Sequence, residues 1–542
     1  MRSHLLLEID FGGRILRVAD DALEVYDADS TTWLRYTPGI DALTVSSALN
    51  FLSSSPGAVS VPVECYLPLD LAAEDAAGHR FEGCPATISL WDDGDDYAAR
   101  TVLASGLVTG AEFGEEGESV AFSVERPASV SAALAIPANQ RVDGVTWPDF
   151  ITNIDVTELG IPYPRVYGRP GWISASSWVT GSQLAWFAYS TPGGAGSHPP
   201  VGADFVAVIA GHRIDMSYIQ VNYDARIAGE QFAVYHTFDG RGQEVAVISK
   251  WANYPTNDAN TVVDGAGQTI RGIMYAGPSP VIGAPVAAFV GWTSPVSTDT
   301  GGLSPVAGDV IMDQLRLAGE RVDYARFQAA AALLTGYRFD CVIDDGAAKA
   351  IDWLQSNIYP LLPVSIESGE DGSYPIVWRY DATTSDATAR LDADTDARIT
   401  RAGKAKDDSS EVANAFSIQY RYSLRTGSYT ETATRDASTC PYCAESERRY
   451  GRIEKAITTV VVYDEATAQS VLAWQARAFT SPRRRVPYLV PRSYGLTKGQ
   501  IVTLTDSRVA YADRLCLVAD VQVDGSGIDG VELLFIPDPL RD

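Results

Sequence analysis

Cys440-Pro441-Tyr442-Cys443 is the stretch in which residue type and spacing together point most directly to chemistry. Two thiols separated by two residues can exchange a disulfide, close a disulfide of their own, or supply two ligands to zinc or an iron–sulfur cluster. Redox exchange needs the first cysteine at a helix N-terminus, where its thiolate is stabilised. Residues 430–439 read as a polar loop and the surrounding unit as all-β, so that setting is not expected here. A disulfide within the loop, a metal half-site at Cys440 and Cys443, and plain reduced thiols stay open. A tetrahedral site needs four ligands, and His4, His79, His198, His212 and His236 all lie far off in the sequence. Copies of the chain meeting on a symmetry axis would have to complete it. No other cofactor is expected.

The remaining candidates read as structure. Acidic runs at 92–96, 115–118, 370–371 and 381–396 raise calcium binding or paired glycosidase carboxylates, but the first lacks the spaced ligands of an EF-hand. Solvated turns account for them better. Arg483-Arg484-Arg485 is the lone basic cluster, expected to pair with acidic neighbours or another subunit. Trp172, Trp178 and Trp186, with Tyr163 and Tyr167, form an aromatic group suited to sugar binding or to packing. Nucleophile-elbow, zinc-protease, Walker and dinucleotide fingerprints are absent in any fitting strand-to-helix context, so an enzyme is not expected. Cys65, Cys84, Cys341 and Cys516 stand alone in strand-like text and read as small buried hydrophobes.

Composition bounds the partners. Lys+Arg 42 against Asp+Glu 69 leave a net charge of −27, which repels phosphate backbones and argues against lasting nucleic-acid binding. A wall past which DNA slides without sticking is compatible with it, as is simple solubility. Hydrophobic residues at 46% and a mean hydropathy of −0.04 indicate a globular chain. No apolar run approaches the ~20 residues of a membrane span, and the N-terminus turns acidic too early for a signal peptide, so synthesis in the cytoplasm is expected.

At roughly 100–200 residues per domain, the 542 residues divide into several units. Residues 1–135 alternate apolar and polar positions in short runs, the pattern of half-buried antiparallel strands, with a hairpin around the acidic turn at 92–96. Residues 136–307 are rich in Gly, Pro and aromatics, forming a β domain that is an insertion or peripheral, and 161–170 is too proline-dense to be anything but an extended connector. Helical spacing at Val310, Ile311 and Leu315, then Ala350, Ile351, Leu354 and Ile358, with a strand at 337–343 between, marks 308–395 as a small α+β unit. Residues 383–408 read as a loose link. The C-terminal unit, 396–542, combines strands with one helix near 464–479, whose Ala468, Val471, Leu472, Gln475 and Phe479 share a face. The fold class expected is mainly β and multidomain: barrel-like domains, a small α+β unit, and one helix packed on the C-terminal barrel.

Three passages resemble the baseplate or tail-tip hub proteins of tailed bacteriophages, related in fold to the late-control gene D family and to the hub of gene transfer agents. The first is Gly308-Asp309-Val310-Ile311-Met312-Asp313-Gln314-Leu315, followed by Gly336-Tyr337-Arg338-Phe339 and Ala350-Ile351-Asp352-Trp353-Leu354. The second runs from Asn414-Ala415-Phe416-Ser417-Ile418-Gln419-Tyr420 through Tyr450-Gly451-Arg452 to Gly499-Gln500-Ile501-Val502-Thr503-Leu504. The third is N-terminal, at 88–106 and 114–124. Each is degenerate, and the specificity lies in their order. Cys440 to Cys443 also match the four letters of a glutaredoxin active site, without that family's βαβ context.

The hub resemblance implies a ring, commonly a homotrimer, that ends the tail tube in the virion. Its partners would be a distal-tail or tail-tube ring on one side and fibre or central-spike proteins on the other, with DNA passing but not bound. The role would be mechanical: close the channel, carry the host-contact machinery, and open. A distal-tail or receptor-binding tail protein is the structural rival, and a carbohydrate-binding or hydrolytic β-protein the rival from another class.

Overall fold

The computed structural model describes residues 2–11, 14–43, 60–67, 80–113, 119–125, 133–136, 140–141, 160, 162–168, 172–174, 177–178, 185–187, 203–212, 230–238, 244–252, 261–264, 303–369, 372–423, 428–523 and 527–537. The acidic runs at 115–118 and 370–371, and His79 and His198, fall outside them. No helix among the described residues is long and apolar enough to cross a membrane.

Period-2 alternation builds the N-terminal sheet. Its strands are β1 (Ser3–Phe11), β2 (Arg14–Ala19), β3 (Leu23–Asp27), β4 (Thr32–Pro38), β5 (Ile40–Leu43), β6 (Ser60–Tyr66), β7 (Pro85–Asp92), β8 (Thr101–Phe113) and β9 (Ser119–Glu125), in the order β3-β4-β2-β1-β7-β8-β9-β6-β5. Leu5, Leu7, Ile9 and Phe11 point to one side of β1 and join Val18, Val63, Ile88, Val108 and Phe122 in its core. Leu6 points to the other, against Val25, Tyr36 and Trp91. The expected hairpin is β7 to β8, and its acidic turn is held by Gly94 at φ +90° and by Trp91 Nε1 donating to the Asp95 carbonyl at 3.0 Å.

In the middle region the described part of the proline-dense connector, 162–168, holds the short strand β10 (Arg165–Tyr167). Short strands β11 (Trp172–Ser174) and β12 (Ser177–Trp178) pair with each other. Five more, β13 (Ala185–Phe187), β14 (Ala203–Ala210), β15 (Glu230–Phe238), β16 (Glu244–Ala252) and β17 (Thr261–Asp264), make an antiparallel sheet in the order β13-β14-β16-β15-β17.

β10 pairs antiparallel with β18 (Cys341–Ile343), which ties the connector to the α+β unit. That unit holds α1 (Ala307–Leu317), α2 (Tyr324–Leu333), α3 (Ala350–Asn357) and the hairpin β19 (Val364–Gly369) to β20 (Gly372–Val377). The strand expected over 337–343 narrows to β18. Its first residues bond instead to the lead-in of α1, with the Phe339 amide donating to the Pro305 carbonyl at 2.7 Å. α1 meets α2 at Gly308, where an added Cβ would lie 2.9 Å from the Ala331 Cβ. A Gly308→Val variant is therefore expected to lose about 1–3 kcal/mol through overpacking, read as a lowered denaturation midpoint.

The C-terminal part contains two sheets. One has seven strands: β21 (Ala389–Asp392), β22 (Thr400–Arg401), β23 (Lys406–Asp408), β27 (Arg483–Pro491), β28 (Ile501–Asp506), β29 (Tyr511–Gln522) and β30 (Ile528–Phe535), ordered β21-β28-β29-β30-β27-β22 with β23 also on β27. The other is β25-β24-β26, built from β24 (Ala415–Ser423), β25 (Ser428–Arg435) and β26 (Glu454–Thr458), with β24 parallel to β26. Two helices accompany them, α4 (Pro441–Tyr450) and α5 (Glu465–Phe479).

Four expectations are corrected here. The seven-stranded sheet is open rather than a closed barrel: β21 and β22 stand at opposite edges and do not pair. Residues 383–408 are not a loose link, since Leu391 and Ile399 are fully buried in this sheet, whose edge strands of four, two and three residues are too short to display alternation. Among the described residues of this part there are two α-helices rather than one. α4 buries only Cys443 and Ser446, so no apolar stripe advertises it. Finally, α5 lies against β24 and β25 rather than on the larger sheet.

Helix α5 itself matches its spacing. Asp464 caps it by accepting from the Thr467 amide at 2.7 Å, and Ala468, Val471, Leu472, Gln475 and Phe479 are all buried. Its core is continuous with that of α1, α3, β24 and one face of the seven-stranded sheet, through Leu517, Ala519 and Leu534.

Candidate functional site

Residues 430–439 open on a strand, not on a loop, and the chain leaves β25 through a turn wound around Asp436. Its carboxylate accepts from the Ser438 amide at 3.0 Å, and its carbonyl from the Thr439 and Cys440 amides at 3.0 and 2.9 Å. Cys440 then takes the N-cap position of α4, with Pro441 just inside the helix, where a missing N–H costs nothing. The Cys443 amide donates to Cys440 Sγ at 3.3 Å. The motif therefore starts a helix, which corrects the reading of a loop within an all-β unit. The other end of α4 is braced by Glu445, which accepts from Arg448 and Arg449 at 2.6 and 2.7 Å, and closed by Gly451 at φ +74°.

All six cysteines are free and buried. Cys65, Cys84, Cys341 and Cys516 behave as the small hydrophobes their surroundings suggest, and burial raises each thiol's pKa. Cys440 differs. The Cys443 thiol and amide donate to it and the Arg435 guanidinium stands beside it, and together they outweigh burial to hold Cys440 well below the usual thiol range. Cys443 moves the opposite way, because its proton is held in the bond to Cys440 and burial adds to that. Arg435 was not legible as part of this site. It ends a polar strand, with nothing in its spacing to link it to the pair.

As a metal site the pair remains half complete: no group of three or more His, Cys, Asp or Glu side chains comes together among the described residues. His4 bonds Asp20 and Asp93 at 2.9 and 3.1 Å, and His212 Nε2 accepts from the Val166 amide at 3.1 Å.

The basic cluster is matched within the chain, as expected. Arg483 pairs with Asp408 and Glu411, Arg484 with Asp407 through two bonds of 2.7 Å, and Arg485 with Glu532 at 3.3 Å. Arg484 also lines a cleft of about 810 Å³ with Arg449, Arg477 and Arg514. Arg477 lies over the Tyr442 ring at 4.4 Å and Arg514 over Phe535 at 5.2 Å. Of the aromatic group, Tyr163 and Tyr167 are fully buried and closed to sugars; the side chains of Trp172, Trp178 and Trp186 lie outside the described residues.

No family model matches the chain, and no curated protein does. Among solved structures it is similar to a 43 kDa tail protein of prophage MuSo2 from Shewanella oneidensis, at 10% identity over 98% of each chain and a TM-score of 0.38. It is similar to a tail protein from Neisseria meningitidis MC58, at 7% identity over 98% of this chain and 96% of that one, with a TM-score of 0.34. A chain in the virion of a native gene transfer agent particle aligns at 13% identity over 73% of this chain and 89% of that one, with a TM-score of 0.33.

Proposed function

We propose that this chain is a non-enzymatic structural protein of a phage tail, the hub of the tail tip or baseplate. Copies form a ring, a homotrimer, that ends the tail tube, closes the DNA channel, and anchors fibre or spike proteins. The observation that supports assembly of copies is the edge position of β25. That strand is eight residues long, mostly exposed, and outermost in its sheet, with β24 its single partner among the described residues. Such an edge is a template for pairing with a further strand, and a strand from another copy is one that could supply it. The charge of −27 supports the channel role, since a like-charged wall does not hold DNA back.

Native mass measurement of the purified chain and of the particle tests the reading. A cyclic oligomer of three copies is the expected result. A strict monomer in both overturns it, and electron microscopy that places the chain away from the tail tip overturns the hub assignment while leaving a tail role.

A further inference from the structure

Positive charge gathers in the cleft of about 810 Å³, although the chain carries −27 overall. Its wall takes Arg449 from the last turn of α4, Arg477 from the last turn of α5, Arg484 from β27 and Arg514 from β29. The first two lie where a helix end favours a cation, but the other two are on strands and have no helix end to offset. Two carboxylates share the wall, and both are engaged. Asp407 takes both bonds of Arg484, and Asp513 meets Arg390, outside the cleft, at 3.1 Å. Four guanidiniums against two carboxylates leave the wall cationic.

Two polar groups of this wall lack a partner. Arg477 lies over the Tyr442 ring, and its Nη1 is buried with no hydrogen-bond partner among the described residues. Ser481 follows four positions later, is 7% exposed, and leaves its Oγ without a partner as well. Buried donors of this kind are normally satisfied, and an oxygen-rich anion satisfies both. A guanidinium matches phosphate through two parallel bonds, and a phosphate monoester near pH 7 carries about −1.5 to −2, the excess that the wall offers. A carboxylate carries a single charge. Tyr450, Tyr511 and Phe535 give the same cleft an aromatic side, and its volume is that of a small-molecule site. We infer that this cleft binds the phosphate group of a small phosphate monoester, with Arg477 and Ser481 as donors and the aromatic side against the body of the ester. The site does not depend on the ring proposed above.

Isothermal calorimetry of the full chain with phenyl phosphate, in phosphate-free buffer, is expected to give one saturable site per chain that weakens as salt rises. Benzoate keeps the ring but carries one carboxylate, and should bind at least about tenfold more weakly; phenol should not bind. Arg477→Gln is expected to weaken phenyl phosphate binding about tenfold or more. Arg398→Gln removes an exposed charge outside the cleft wall and should leave binding within about twofold. Should Arg477→Gln fail to fold, hydrogen exchange of the wild type decides: phenyl phosphate should slow residues 477–484 and 511–515 and leave the N-terminal sheet unchanged. No saturation by about 10 mM, benzoate binding as tightly as phenyl phosphate, equal losses in the two variants, or no slowing in those segments would each overturn the proposal.

Discussion

Replacing Asp313 by Ala is expected to destabilise the protein by about 3–5 kcal/mol, because it strands a buried guanidinium. Arg165 Nε and Nη2 donate to Asp313 Oδ2 at 2.8 and 2.6 Å, and the Tyr167 hydroxyl donates to the same oxygen. Gln314 Nε2 in turn donates to the Tyr167 oxygen at 2.7 Å. Arg165 is 7% exposed, Asp313 2%, and the other two are fully buried. Burial alone would lower the Arg165 pKa, but Asp313 more than offsets it. With the carboxylate gone, that buried charge loses the anion it is bonded to. The comparison that isolates this cause is the double variant Arg165→Met with Asp313→Leu, which removes both charges. It should lose much less than Asp313→Ala in chemical denaturation, and an equal loss would assign the effect to packing instead.

Trp474→Ala is expected to cost a similar amount, about 3–5 kcal/mol, from a different source. The side chain is completely buried, its Nε1 donates to the Leu361 carbonyl at 2.8 Å, and its ring packs against Phe479 at 5.6 Å between centroids. Next to it, Gln475 Nε2 donates to the Pro360 carbonyl at 3.0 Å. These two bonds seat α5 on the turn that follows α3, so the cavity opens at the seam between them. Hydrogen exchange should accelerate together in residues 359–362 and 465–479. Acceleration confined to α5 alone would show that the seam is held by other contacts. Trp474→Phe keeps most of the volume and should fall between wild type and Ala.

Which parts of this were legible beforehand follows from how each element is stabilised. α5 and the N-terminal strands announce themselves because a repeating apolar face buries them. α4 does not, since a cap, a first-turn proline and the Glu445 brace hold it rather than an apolar stripe. Strands β21 to β23 were missed for a related reason: a strand of two to four residues carries too few positions to alternate, and its place is fixed by β27 and β28, which come about a hundred residues later. The thiol pair could be named from its spacing, but its character could not, because that depends on the helix start and on Arg435. Arg165 and Asp313 lie 148 positions apart, and no local pattern links them.

The continuous core has a consequence for how the chain leaves the ribosome. β21 needs β28 as its neighbour, and the seat for Trp474 is made by Leu361 long before α5 exists. A nascent chain halted near residue 440 would thus hold Leu361, Leu362 and Leu391 without the side chains that later cover them. Synthesis of the last hundred residues is therefore the interval in which this protein most needs a chaperone.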